Sequence, residues 1–180
     1  MAIPLVLLGL VAAHIAALRP VDSVTLVAIA LKFSNPLSVL VNLLAPFVKV
    51  WKGAETQLWD ANLLEIVKRD PVTYDRFPTR AFAQLWAMAG RTSAVLPRVK
   101  ARALVIHSLR DETIPPSAAD LAFDRLGSAQ KRIRWFENSR HEMFWDGERD
   151  ALCQHIVDFV LESQATQRVV AHADHSATLS

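Results

Sequence analysis

The chain has 180 residues, 52% of them apolar, which is enough for one core and too little for two large domains. A formal net charge of +2, with no basic run and no basic stripe interleaved with aromatics, argues against nucleic acid as a partner. The single cysteine, Cys153, cannot form an internal disulfide and fits a reduced, cytoplasmic setting.

Ala2 to Leu18 is almost uninterruptedly apolar. No positive segment precedes it, His14 interrupts it, and Arg19-Pro20 ends it as a soluble helix ends. Further on, Lys32, Asn35, Pro36 and Pro46 break any second span, so stable membrane insertion is not expected. Val24 to Leu31 (VTLVAIAL) and Ala103 to Ser108 (ALVIHS) are short apolar runs of the kind that form strands buried on both faces of a parallel sheet. Between them, residues 34–98 hold three of the five tryptophans, Trp51, Trp59 and Trp86, in a segment too long for a simple crossover helix.

Beyond the second strand, Ser117-Ala118-Ala119-Asp120 predicts a capping box opening a short helix, with Gly127 as its C′ residue. Arg132 to Phe136 (RIRWF) alternates as an edge strand does. Asp146 is then the expected N-cap of a closing helix that turns Leu152, Ile156, Phe159 and Val160 to one face and buries Cys153. Residues 164–180 are polar and small and are read as a flexible tail. This order of elements is that of an open α/β sheet, whose sites lie at the carboxyl ends of the strands.

Two loops leave those ends. One carries Asp111, in Ser108-Leu109-Arg110-Asp111-Glu112-Thr113-Ile114-Pro115; the other carries His141, in Asn138-Ser139-Arg140-His141-Glu142-Met143. Neighbouring parallel strands lie about 5 Å apart, so a carboxylate and an imidazole at their tips can meet and the one can orient the other. Taken singly, Asp111 also reads as a turn or cap residue before Pro115, and His141 as a polar loop residue.

The two loops together resemble the acid and base elements of α/β-hydrolases, in particular the lidded carboxylesterases and monoacylglycerol lipases. His107 through Pro115 echoes H-G-x-x-D-x-x-V-P, and Ser139 through Arg149 echoes S-G-H-x-x-x-x-D-x-E-R. Ser108 and Arg140 stand where that family usually has glycine, so each adds a side chain beside the site. The resemblance implies a partial α/β-hydrolase fold: a parallel sheet with flanking helices from residues 1–33 and 99–163, and a helical lid, residues 34–98, whose Leu40, Leu44, Phe47, Trp51 and Trp59 suit an acyl chain.

It also implies hydrolysis of a small carboxylic ester through a Ser-His-Asp mechanism, Asp111 orienting His141, without cofactor or metal. His172 and His175 lack the supporting carboxylates or cysteines of a metal site. The G-x-S-x-G elbow of the family is missing from the sequence. Aligning Ala12 to Pro20 with the helix after the elbow puts Val6 at the serine position; a second alignment makes Pro4 to Gly9 the strand before it. Valine has no nucleophilic atom, so the triad is expected to be incomplete, the chain truncated or degenerate and inactive alone, and the second oxyanion donor upstream of Met1. The alternative is a non-catalytic module of the same fold that binds an acyl ligand or a partner. A sheet cut short in this way is expected to expose an edge and to favour homo-oligomers.

Overall fold

A computed structural model describes residues 2–52, 58–69 and 76–177, with side chains over 7–52, 58–69 and 76–164. The apolar start of the chain forms helix α1 (Ala2–Leu18), as its alanine and leucine content favours. Leu10, Ala13 and Ala16 recur at helical spacing and are buried, while Leu8, Ile15 and Leu18 are exposed on α1. Pro4 to Gly9 is therefore helix, which overturns the alternative in which it is a strand. No helix among the described residues is long and apolar enough to cross a membrane.

Strand β1 (Ser23–Val27) follows, shorter than the apolar run that predicted it. Ala28 adopts φ 45°, a left-handed conformation that alanine rarely takes, and the chain leaves the sheet there. Ile29, Ala30 and Leu31 are buried all the same, in the core rather than in the ladder. The insert begins with a turn over Pro36–Leu40, whose cap Asn35 accepts from Leu37 N at 2.9 Å, and continues into α2 (Val41–Leu44). It then forms β2 (Val50–Lys52), α3 (Ala61–Arg69), β3 (Arg76–Pro78) and α4 (Thr79–Val95).

The insert is thus not wholly helical. β2 and β3 pair antiparallel, and their inward residues Trp51 and Phe77 lie against Phe82, with ring centroids at 5.4 and 5.8 Å. Helix α4, though within residues 34–98, buries Phe82, Leu85 and Ala89, the first two in the core that also holds α1 and the sheet.

Strands β4 (Arg102–Ser108) and β5 (Lys131–Phe136) complete the sheet in the order β1-β4-β5, parallel throughout. The period of two along central β4 serves both faces. Ala103 and Val105 join the cluster under α1 and α4, and Leu104 and Ile106 join a second cluster with Leu152 and Phe159.

Helix α5 (Ser117–Arg125) joins β4 to β5, and α6 (Arg149–Ala177) closes the fold. The capping box expected at Ser117 does not form: the cap residue is Pro116, with no side-chain hydrogen bond. Gly127 has no positive φ either; it is needed because a methyl there would stand 2.0 Å from Pro97 O. Helix α6 starts three residues after Asp146, whose carboxylate is engaged elsewhere. Cys153 and Val160 are exposed rather than buried, since the inward stripe of α6 runs through Leu152 and Phe159, with Ile156 half-buried between them. The helical backbone continues to Ala177, through most of the segment read as a tail.

Candidate functional site

Ser108 and Phe136 are register partners at the carboxyl ends of β4 and β5, so the next residues of both strands emerge side by side. Asp111 sits in the tight turn after β4. Its Oδ1 accepts from Thr113 N at 2.9 Å and Ile114 N at 2.8 Å, which leaves Oδ2 directed at the second loop. There His141 Nδ1 lies 2.8 Å from Asp111 Oδ2. A carboxylate only accepts, so Nδ1 carries the proton and Nε2 is the nitrogen able to take one up.

Burial works to lower the basicity of His141, but the hydrogen bond and charge of Asp111, with the charge of Glu142, outweigh it and hold the pKa above the ordinary value. Burial also pushes the Glu142 carboxyl up, against the charge of His141. His107 shifts the opposite way. Burial lowers it despite nearby Asp111 and so favours the neutral ring, whose Nε2–H donates to Ile114 O at 3.0 Å. Two imidazoles near one carboxylate are thereby separated into a proton carrier and a structural donor.

Both positions where the family pattern has glycine form cross-loop contacts. Ser108 Oγ donates to Ser139 O and accepts from Arg110 N at 3.0 Å. Arg140 Nη1 meets Glu112 Oε1 at 2.6 Å. Beneath them, Glu148 accepts from Asn138 N, Ser139 N and Ser139 Oγ, the last two at 2.7 Å. Partial burial raises the Glu148 pKa, and these donors from Ser139 and Asn138 together lower it by more.

Asp146 is nearly fully buried and accepts from Arg140 N and Gly147 N, both at 2.8 Å, and from Trp59 N and Asp60 N of the insert. Sequence reasoning placed Asp146 at a helix start and missed what both it and Glu148 do under the loop. The signal was present in the D-x-E-R end of the His141 pattern, where two acids follow the histidine at fixed spacing.

The remaining expected site residues scatter. Position 6 lies within α1, so no strand-to-helix turn forms there, and the Val6 side chain is outside the described residues. Leu40 and Phe47 are exposed, the latter by 82%, and Leu44 is half-buried. Trp51 is turned toward Phe82, whereas Trp59 lies against Gly147, next to the His141 loop. The side chains of His172 and His175 are outside the described residues, and no metal-binding cluster occurs among the described ones. A cavity of about 650 Å³ lies at the opposite, amino ends of the strands, between Arg19, Asp22, Arg98, Lys100 and Gln130, away from the Asp111–His141 pair.

The sequence profile of the serine aminopeptidase, S33, family matches residues 9–149. A thermostable monoacylglycerol lipase of Bacillus sp. (strain H-257) is 30% identical over 88 residues, covering 49% of this chain and 35% of that protein. Among solved structures, a metagenome-derived lipolytic enzyme superposes with a TM-score of 0.76 at 21% identity, covering 86% of this chain and 61% of its own. The monoacylglycerol lipase of Paleococcus ferrophilus gives 0.74 at 22% identity, with 86% and 65% covered. The chain therefore spans about a third of the curated relative, and under two thirds of these solved ones. These likenesses identify the three-stranded parallel sheet and its helices as part of the α/β-hydrolase fold.

Proposed function

This chain belongs to the serine aminopeptidase, S33, family of hydrolases, and we propose from that premise that it supplies the acid and base of a Ser-His-Asp carboxylic ester hydrolase. The observation that carries the reading is the 2.8 Å contact between Asp111 Oδ2 and His141 Nδ1 at the carboxyl rim of a parallel sheet. In this scheme His141 Nε2 takes the proton from an attacking serine and returns it to the leaving alkoxide. Asp111 holds the ring in the tautomer that allows this and stabilises the imidazolium. The substrate is a small ester whose acyl chain rests on the insert, on Leu40, Leu44, Phe47 and Trp59 rather than on Trp51, which packs against Phe82. Trp59 is the one placed beside the His141 loop.

The serine is not among these residues: no G-x-S-x-G occurs, and Val6 offers no nucleophile at the matching position. A hydrolase built on this chain takes its nucleophile from outside these 180 residues. Hydrolysis of p-nitrophenyl esters by the chain alone should stay at background. Robust turnover abolished by His141→Ala would place the serine inside the chain, and turnover that survives His141→Ala would sink the proposal. A second reading, a non-catalytic module that binds an acyl ligand, is favoured by the missing elbow together with exposed Leu43, Phe47 and Val50 on the insert. Retained affinity for a monoglyceride without turnover, when the missing elbow is restored in a longer chain, would select it.

A further inference from the structure

The insert and the base loop share one carboxylate. Asp146, 1% exposed, receives Trp59 N at 2.9 Å on both oxygens, Asp60 N at 3.1 Å on Oδ1 and Arg140 N at 2.8 Å on Oδ2. Asp60 in turn caps α3, accepting from Asn62 N at 2.9 Å and Leu63 N at 3.2 Å. One line of polar contacts therefore runs from the start of α3, through Asp60 and Asp146, to the backbone N–H of Arg140, the residue before His141.

Steric contact reinforces it. A methyl added at Gly147 would come within 2.8 Å of Trp59 Cε3 and Cζ3, so the indole occupies the space that a side chain there would need. A buried carboxylate with several donors fixes what surrounds it, and removing some of those donors leaves a charge that is costly to keep buried.

We propose that Asp146 is a positioning residue that couples the seating of the insert to the setting of the His141 ring. The inference rests on the reading of His141 as the base. With Trp59 and Asp60 docked, Asp146 holds Arg140 N, and His141 meets Asp111. With the insert displaced, Asp146 loses the donors that hold it in place, the Ser139–Arg140 peptide it anchors is freed, and the bond between His141 and Asp111 loosens. The acid–base pair is then set only while the insert covers its loop.

The test uses the chain as it stands and reads the Nδ1–H proton of His141, whose resonance lies far downfield when it is bonded to a carboxylate. Gly147→Ala pushes the Trp59 indole aside and leaves the Asp146 carboxylate in place; Asp146→Asn removes the charge. In either variant, checked by melting to be folded, the Nδ1 proton should exchange with solvent about tenfold faster or more. The Trp59 indole signal should shift in the same spectra. A displaced Trp59 signal with unchanged Nδ1–H exchange in Gly147→Ala overturns the coupling, even if Asp146→Asn fails to fold. Ester turnover plays no part in this measurement, so its outcome is separable from that of the hydrolase reading.

Discussion

The rim of the sheet and the insert above it are built on opposite principles. At the rim, polar groups are buried and partnered: Asp111, Ser108, Ser139, Glu142 and Asp146 are all buried, and most bond across the two loops. On the insert, large apolar side chains face outward: Leu43 is 67% exposed and Phe47 82%. A buried polar network has one low-energy arrangement, because leaving any member unpaired is costly. An exposed apolar surface has no such constraint and is available for something apolar to cover. The difference separates where geometry is set from where apolar surface is left open.

Breaking the rim should have the largest effect. Ser108→Ala orphans Arg110 N and Ser139 O together. It should cost about 2 kcal/mol in denaturant unfolding, the penalty of a buried hydrogen bond whose partners stay behind. A loss near zero would mean that the loops are held by the Asp111–His141 and Glu112–Arg140 contacts without Ser108.

The two histidines sharpen the same point through pH. His107 is held below its ordinary value of 6.5, so its contribution to stability is present above that pH and is lost as the unfolded chain takes up the proton that the fold refuses. His141 is raised, so its contribution is present below 6.5 and is lost as pH rises through its folded value. His107→Gln can still donate to Ile114 O but cannot titrate. Its stability should fall less steeply than that of the parent between about pH 7 and pH 5. Parallel slopes would mean that His107 is not neutral in the fold.

The smallest effect belongs to the insert. Phe47→Ser should change unfolding free energy by no more than about 0.5 kcal/mol, as for an exposed site without structural partners. If the insert takes an acyl chain as proposed, Phe47→Ser should also weaken monoglyceride binding measured by displacement of a fluorescent fatty acid. A large loss of stability would show that Phe47 is covered in solution.

How much of this was legible follows from the range of each signal. The apolar runs of β1 and β4 and the alternation of β5 are local, and they predicted the three parallel strands. The Asp111 and His141 loops were legible because two patterns coincide at the ends of adjacent strands. The limits of the strands were less so: nothing within Val24–Leu31 announces the bend at Ala28, because tertiary packing of Ile29 and Ala30 overrides propensity there. Asp146 was mistaken for a helix cap because its partners, Trp59 and Asp60, lie 87 and 86 residues away in the chain. Cys153 and Val160 were misplaced by a small phase error along α6, where one position separates the inward stripe from solvent.

The bend at Ala28 has a consequence of its own. A left-handed alanine is a stored tension of about 1 kcal/mol or more that glycine would not carry. It sits where β1 gives way to the buried Ile29–Leu31 segment, beside Gly9 of α1, so this corner acts as a cocked spring near the rim. Protein engineers who relax it with glycine would gain ease at that joint and surrender whatever stiffness it lends the neighbouring loops.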